Sequence, residues 1–81
     1  MPRIELRLPD LGLDDQPITL SGWLVPRGAR VAAGERVAEV LAGPATVDLP
    51  SPADGVLIQR LVDEDEPIVV GQSLAVIETE P

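Results

Sequence analysis

Few side chains in this 81-residue chain can carry out covalent or proton-transfer chemistry. There is no His, Cys, Lys or Tyr. Acid–base work would therefore fall to carboxylates, and nucleophilic work to the hydroxyls of Ser21, Ser51, Ser73, Thr19, Thr46 and Thr79. With no imidazole, thiol or side-chain amine in the chain, the usual activating bases for such a hydroxyl are missing. The run Asp63-Glu64-Asp65-Glu66 has ligands for a hard cation such as Ca²⁺, but it lacks the glycine and the spacing of a calcium loop and reads better as a solvated turn. No glycine cluster forms a phosphate cradle. These residues predict no catalytic residue, no metal site and no independent enzyme activity.

Composition sets what must hold any site in place. A chain of this length forms one domain, residues 1–81, and buries only about 60% of the surface its unfolded form exposes, so its core is thin. At 44% hydrophobic residues it still has enough Val, Leu and Ile to fold alone. Fourteen carboxylates against six arginines give a net charge of −8. That balance repels nucleic acid and anionic lipid, predicts basic surfaces on any charged partner, and also keeps a small module soluble. No apolar run of about 18 residues and no N-terminal signal pattern occurs, which predicts neither membrane insertion nor secretion. With no cysteine for a disulfide, the expected location is the cytoplasm.

Along the chain, Arg3-Ile4-Glu5-Leu6-Arg7-Leu8 alternates charged and apolar residues and predicts a half-buried strand ended by Pro9-Asp10-Leu11-Gly12. A loop through Leu13-Asp14-Asp15-Gln16-Pro17 leads to a second strand region, Ile18 to Val25, which holds the one aromatic residue, Trp23. A single Trp in an apolar strand is read as a packing residue in preference to a recognition residue. Pro at 26, 50, 52 and 67 and Gly at 22, 28, 34, 43, 55 and 71 recur too often for ordinary helices. Ala32 to Glu39 has helix-compatible composition, but it is short and contains Gly34. The fold class expected is all-β, with many short strands.

The chain also repeats itself. Residues from Trp23 to Val40 align without a gap on residues from Arg60 to Ile77, 37 positions later. Leu24 meets Leu61, Val25 meets Val62, Val31 meets Ile68, Gly34 meets Gly71, Val37 meets Leu74, Ala38 meets Ala75 and Val40 meets Ile77. Apolar positions and the turn glycine recur while charges do not, so packing and backbone geometry are what is shared. A quasi-two-fold axis follows. Shifting Pro44 by the same interval reaches Pro81, which predicts that the chain ends lie opposite the segment around Pro44.

That segment is a hairpin: Glu39-Val40-Leu41 and Thr46-Val47-Asp48-Leu49 flank a Gly-Pro tip. Ala45-Thr46-Val47-Asp48-Leu49-Pro50-Ser51-Pro52 resembles the hairpin of lipoyl domains, whose usual run is Glu-Thr-Asp-Lys-Ala-Thr-Val-Glu-Ile-Pro-Ser-Pro. Pro9-Asp10-Leu11-Gly12 resembles the opening of the same domains, and the order continues through Trp23-Leu24-Val25, Gly34, Gly55 and Gly71 to Glu78. The resemblance covers nearly the whole chain. It implies a barrel-sandwich hybrid of two small antiparallel sheets with internal quasi-two-fold symmetry, presenting the hairpin tip far from the chain ends.

The same resemblance implies swinging-arm chemistry, in which lipoate or biotin is joined by an amide to a tip lysine. Here that position is Pro44, the preceding Asp position is Gly43, and Ala45 follows. A pyrrolidine ring built into the backbone offers no primary amine, and no lysine elsewhere can substitute, so no lipoyl or biotinyl cofactor is expected. The tip Gly43, Pro44, Ala45 is read as a degenerate attachment site. Because Pro favours the second position of type I and II turns, the turn is expected to slide to Gly43-Pro44-Ala45-Thr46. Replacing Gly43 by Asp and Pro44 by Lys is expected to restore a ligase-readable tip with little effect on stability.

Three readings of function follow from the resemblance. The domain is a monomeric, non-catalytic interaction or structural module associated with a 2-oxoacid dehydrogenase system and its dihydrolipoamide acyltransferase, with components of that complex as protein partners. Alternatively it is an inactive copy of an acyl-carrier domain. The third reading is an adaptor unrelated to acyl transfer, against which the uninterrupted hairpin and the missing signal sequence count.

Overall fold

The computed structural model describes residues 2–12 and 16–79. Residues 13–15 of the first loop, and Pro81 with its expected place opposite the tip, lie outside the described residues. The described chain forms eight strands: β1 (Arg3–Arg7), β2 (Ile18–Trp23), β3 (Arg30–Val31), β4 (Arg36–Ala42), β5 (Ala45–Pro50), β6 (Gly55–Arg60), β7 (Pro67–Ile68) and β8 (Ser73–Thr79). All are antiparallel, in two four-stranded sheets ordered β1-β8-β6-β3 and β5-β4-β2-β7. The helix-compatible stretch from Ala32 becomes a turn at Gly34 followed by β4, because Val37, Ala38 and Val40 face a core that needs an extended strand.

The internal repeat is realised residue by residue. Strands β2, β3 and β4 recur as β6, β7 and β8, and the registers recur with them: Ile18 pairs with Ala42 as Gly55 pairs with Thr79, and Thr19 pairs with Pro67 as Val56 pairs with Arg30. The hydrogen bonds outside the strands repeat too. Leu20 N donates to Glu66 O where Leu57 N donates to Ala29 O, and Gly34 N donates to Ser51 O where Gly71 N donates to Leu8 O. Strands β1 and β5 are the remaining equivalent pair, each on the outer side of a seven-residue strand.

Each seven-residue strand carries two successive buried residues, Val37-Ala38 in β4 and Leu74-Ala75 in β8. Strict alternation would expose one member of each pair. A register shift between Arg36 and Ala38, and the matching shift opposite Leu6 and Arg7, inserts an extra residue that turns both side chains inward. The core formed this way joins Leu6, Leu8, Leu20, Val31, Val37, Val40, Leu49, Leu57, Leu74 and Ile77, with residues from both sheets and both repeats. Trp23 packs against this core while staying half-buried, and its indole N–H donates to Val62 O at 3.1 Å. It is held as a packing residue.

Symmetry also decides where Pro2 and Thr79 lie. Pro2 O accepts from Thr79 N at 2.9 Å, which makes the last rung between β1 and β8 the counterpart of the rung between Ala42 and Ala45 at the hairpin tip. Thr79 pairs with Gly55, and the neighbouring Asp54 carboxylate accepts from Ala33 N at 2.7 Å in the turn that feeds the start of β4. Pro2 and Thr79 therefore sit at the base of the β4–β5 hairpin. Seven residues of β4 separate that base from the tip by about 20 Å, within a body whose principal extents are 39 × 20 × 18 Å.

Candidate functional site

The β4–β5 hairpin combines paired strands with a Gly43-Pro44 tip. Val40 pairs with Val47, Leu41 with Thr46 and Ala42 with Ala45, which leaves Gly43 and Pro44 as the two central residues of a two-residue turn. This corrects the expected slide to Gly43-Pro44-Ala45-Thr46. Gly43 has a φ of 58°, the ring holds Pro44 near −65°, and no peptide bond is cis. A positive then a negative φ is the sign pattern of a type II′ turn, whose twist matches that of the flanking strands, whereas types I and II splay them. Proline's preferences in types I and II do not govern this loop: Gly takes the first central position, and the φ that Pro imposes suits the second.

The tip is held from one side. Gly43 N donates to Pro17 O at 3.3 Å, and the Gln16 side-chain amide lies over the glycine where any Cβ would stand. Gly43 is half-buried as a result, while Pro44, Ala45 and Thr46 are exposed. Below the tip, Glu39 and Asp48 face each other across the two strands. Like charges in that position repel, and each is offset locally: Ser21 Oγ donates to Glu39 at 3.1 Å, and Arg36 pairs with Asp48 at 3.2 Å. Between Leu41 and Thr46 the tip has no ionisable side chain and no amine. Its surface is a tight bend with backbone groups and small apolar side chains and no lysine.

The hydroxyls considered as nucleophiles are dispersed. Ser51 is buried and donates to Ala53 O at 2.7 Å, Ser21 is taken up by Glu39, and Thr79 donates to Pro2 O at 3.2 Å. Ser73 Oγ is enclosed without a hydrogen-bond partner among the described residues. Thr19 lies in β2 and Thr46 in β5 beside the tip. The acidic run forms the exposed turn between β6 and β7: Asp65 N donates to Leu20 O at 2.7 Å and Glu66 N to Asp63 O at 3.2 Å. Nowhere among the described residues do three or more carboxylates converge as a metal site would require.

One feature escaped the sequence reading. Trp23 and Arg60 meet, with the guanidinium carbon 5.8 Å from the centre of the indole ring, and together with Arg27, Gln59 and the acidic turn they border a cavity of about 640 Å³. A signal for it existed: Trp23 and Arg60 are aligned positions of the repeat, and residues so related meet when they lie beside a two-fold axis.

Two antiparallel sheets related by a quasi-two-fold, with a supported hairpin tip at the end opposite Pro2 and Thr79, define a flattened barrel-sandwich. The chain belongs to the biotin–lipoyl family, whose model, described as "Biotin-requiring enzyme", matches residues 4–77. It is 33% identical over 93% of its length to the lipoamide acyltransferase component of the branched-chain alpha-keto acid dehydrogenase complex of Pseudomonas putida. It is 32% identical over 88% to the dihydrolipoyllysine-residue acetyltransferase component of the pyruvate dehydrogenase complex of Corynebacterium glutamicum. The chain spans 18% and 10% of the length of those relatives. Among solved structures, the lipoyl domain of the 2-oxoglutarate dehydrogenase complex from Azotobacter vinelandii superposes with a TM-score of 0.74 at 19% identity, covering 95% of this chain and 99% of that one. A single-chain, multi-domain long-chain acyl-CoA carboxylase matches with a TM-score of 0.78 at 20% identity, over 98% of this chain and 7% of that one. The fold is thus that of a lipoyl domain, and the relatives are acyltransferase components of 2-oxoacid dehydrogenase complexes.

Proposed function

We propose that this chain is a lipoyl-type domain without a swinging arm, acting as a non-catalytic interaction or structural module alongside a 2-oxoacid dehydrogenase system. The observation that carries this reading is the tip: Gly43 and Pro44 occupy the turn between intact strands β4 and β5, and the chain contains no lysine. Amide attachment of lipoate or biotin needs a primary amine, which a ring nitrogen already bonded in the backbone does not provide. Conserving a supported hairpin while removing its one reactive group leaves recognition as the remaining use of the surface. The partners are protein components with basic faces, given the net charge of −8, and the domain itself is monomeric and works in the cytoplasm.

Exposure of the 81-residue chain to lipoate ligase and to biotin ligase, followed by intact-mass measurement, tests the chemical half. The expected mass is unchanged, and an added cofactor mapped away from the N-terminus overturns it. Titration against purified 2-oxoacid dehydrogenase components tests the interaction half. The expected result is salt-sensitive binding to one component, and no binding to any of them removes the association. A second reading is favoured by identity of about one third to acyltransferase components several times longer: the domain is an arm-less copy beside armed copies in one chain. A parent open reading frame carrying further lipoyl domains with tip lysines would select it.

A further inference from the structure

From the cavity beside Trp23 we infer a second binding site, one that accepts the carboxylate of a peptide between the guanidinium groups of Arg27 and Arg60. The inference starts from how the six arginines are used. Arg3 pairs with Glu78, Arg7 with Glu5 and Arg36 with Asp48, and Arg30 is also engaged. Arg27 and Arg60 make no ion pair among the described residues, and both line the same cavity of about 640 Å³. Two arginines without an ion-pair partner thus share one cavity in a molecule of net charge −8.

The geometry is prepared for a planar anion. The indole is fixed by its hydrogen bond to Val62 O, and Arg60 lies over its face, so one guanidinium is held by an aromatic surface that leaves its edge donors open. Gln59, with its side-chain amide, and buried Val62 line the cavity as well. Guanidinium forks match carboxylates in a bidentate manner. Asp63 and Glu64 line the same cavity, and neither comes within ion-pair distance of either arginine. Their charge opposes any anion and penalises a dianion such as phosphate more than a single carboxylate flanked by N–H donors, which is what a peptide provides. Trp23 pairs with Ala38, four residues and about 13 Å along β4 from Ala42, so this site is separate from the tip. It stands or falls independently of the arm-less reading.

Trp23 is the one fluorophore in the chain and sits in the site, so its emission, together with the NMR resonance of its indole N–H, reads occupancy directly. The probes are N-acetyl-glycylglycine for a chain-end carboxylate and N-acetyl-glutamic acid α-amide for a side-chain carboxylate. Their uncharged amide analogues serve as controls, at ionic strength held constant with NaCl. A saturable change with a carboxylate probe and none with its amide is expected, and the tighter of the two probes identifies the source. Arg27→Gln and Arg60→Gln should each weaken apparent affinity about three- to tenfold, with the circular dichroism spectrum unchanged because both side chains are exposed. A response that is absent, that the amides reproduce, or that survives in the folded double variant overturns the site.

Discussion

At Pro44 a single ring settles what the tip can do. Its nitrogen is bonded to the preceding carbonyl carbon, to Cα and to the ring Cδ, so the residue has neither a reactive amine nor a backbone donor. The neighbouring glycine is equally specific. At a φ of 58° and beneath the Gln16 side chain, Gly43 cannot accept a β-carbon without backbone strain and displacement of that amide. This revises the expectation that rebuilding the tip would have little effect on stability, since Gly43 is half-buried. Gly43→Asp should cost about 1 kcal/mol, since the left-handed region is unfavourable by that order for an L-residue while the flexible end of Gln16 can move aside. Equilibrium urea unfolding measures it. The double variant Gly43→Asp, Pro44→Lys should still fold and should gain one lipoyl group on treatment with lipoate ligase, read by intact mass. Failure of the folded double variant to be modified, under conditions that fully modify a control domain, would mean that the surface beyond the tip no longer fits a ligase.

Among the secondary-structure elements, the turns are where the two repeats can be compared directly. Gly34 and Gly71 have φ values of 87° and 88°, and at both positions a β-carbon would meet no atom within 4 Å. The cost of an alanine there is backbone strain alone. Gly34→Ala and Gly71→Ala should each destabilise by about 1–2 kcal/mol, and by amounts equal within about 0.5 kcal/mol, as denaturant midpoints would show. The companion turn breaks this symmetry. Gly28 has a φ of 92°, and the equivalent position in the second repeat is Asp65 at 68°, the one described non-glycine residue with a positive φ. Asp65→Gly relieves that strain and removes one charge from a run of four carboxylates, so it should stabilise the domain by about 0.5–1 kcal/mol. A lowered midpoint would instead mark Asp65 as engaged in a contact that offsets its backbone cost.

At the scale of the molecule, one core serves two sheets, and the symmetry makes its halves interchangeable. Leu20 and Leu57 are fully buried, occupy equivalent places in β2 and β6, and bond through their N–H groups to the equivalent acceptors Glu66 O and Ala29 O. Leu20→Ala and Leu57→Ala should each cost about 2–5 kcal/mol, a large fraction of the stability of a domain this small. Thermal unfolding followed by far-UV circular dichroism would register the loss against a spectrum dominated by β-structure. A variant of either site with unaltered stability would contradict the shared core.

Much of this architecture is legible in the residues themselves. The alternation in Arg3 to Leu8, the glycines at 34 and 71 and the apolar positions recurring 37 residues apart determine strand, turn and symmetry, because each depends on near neighbours or on a period that a linear chain displays. The absence of a lysine amine is likewise a property of composition, independent of any fold. Tertiary structure alone decided the rest. The turn at Gly43-Pro44 adopts the sign pattern set by the twist of two paired strands, a constraint that residue preferences in isolated turns do not contain. Gln16 comes to lie over Gly43 through the pairing of β2 with β4, and Arg60 over Trp23 through the packing of one sheet on the other. Local propensity acts over a few residues, whereas these contacts exist only once distant strands have paired and the two sheets have closed on one core.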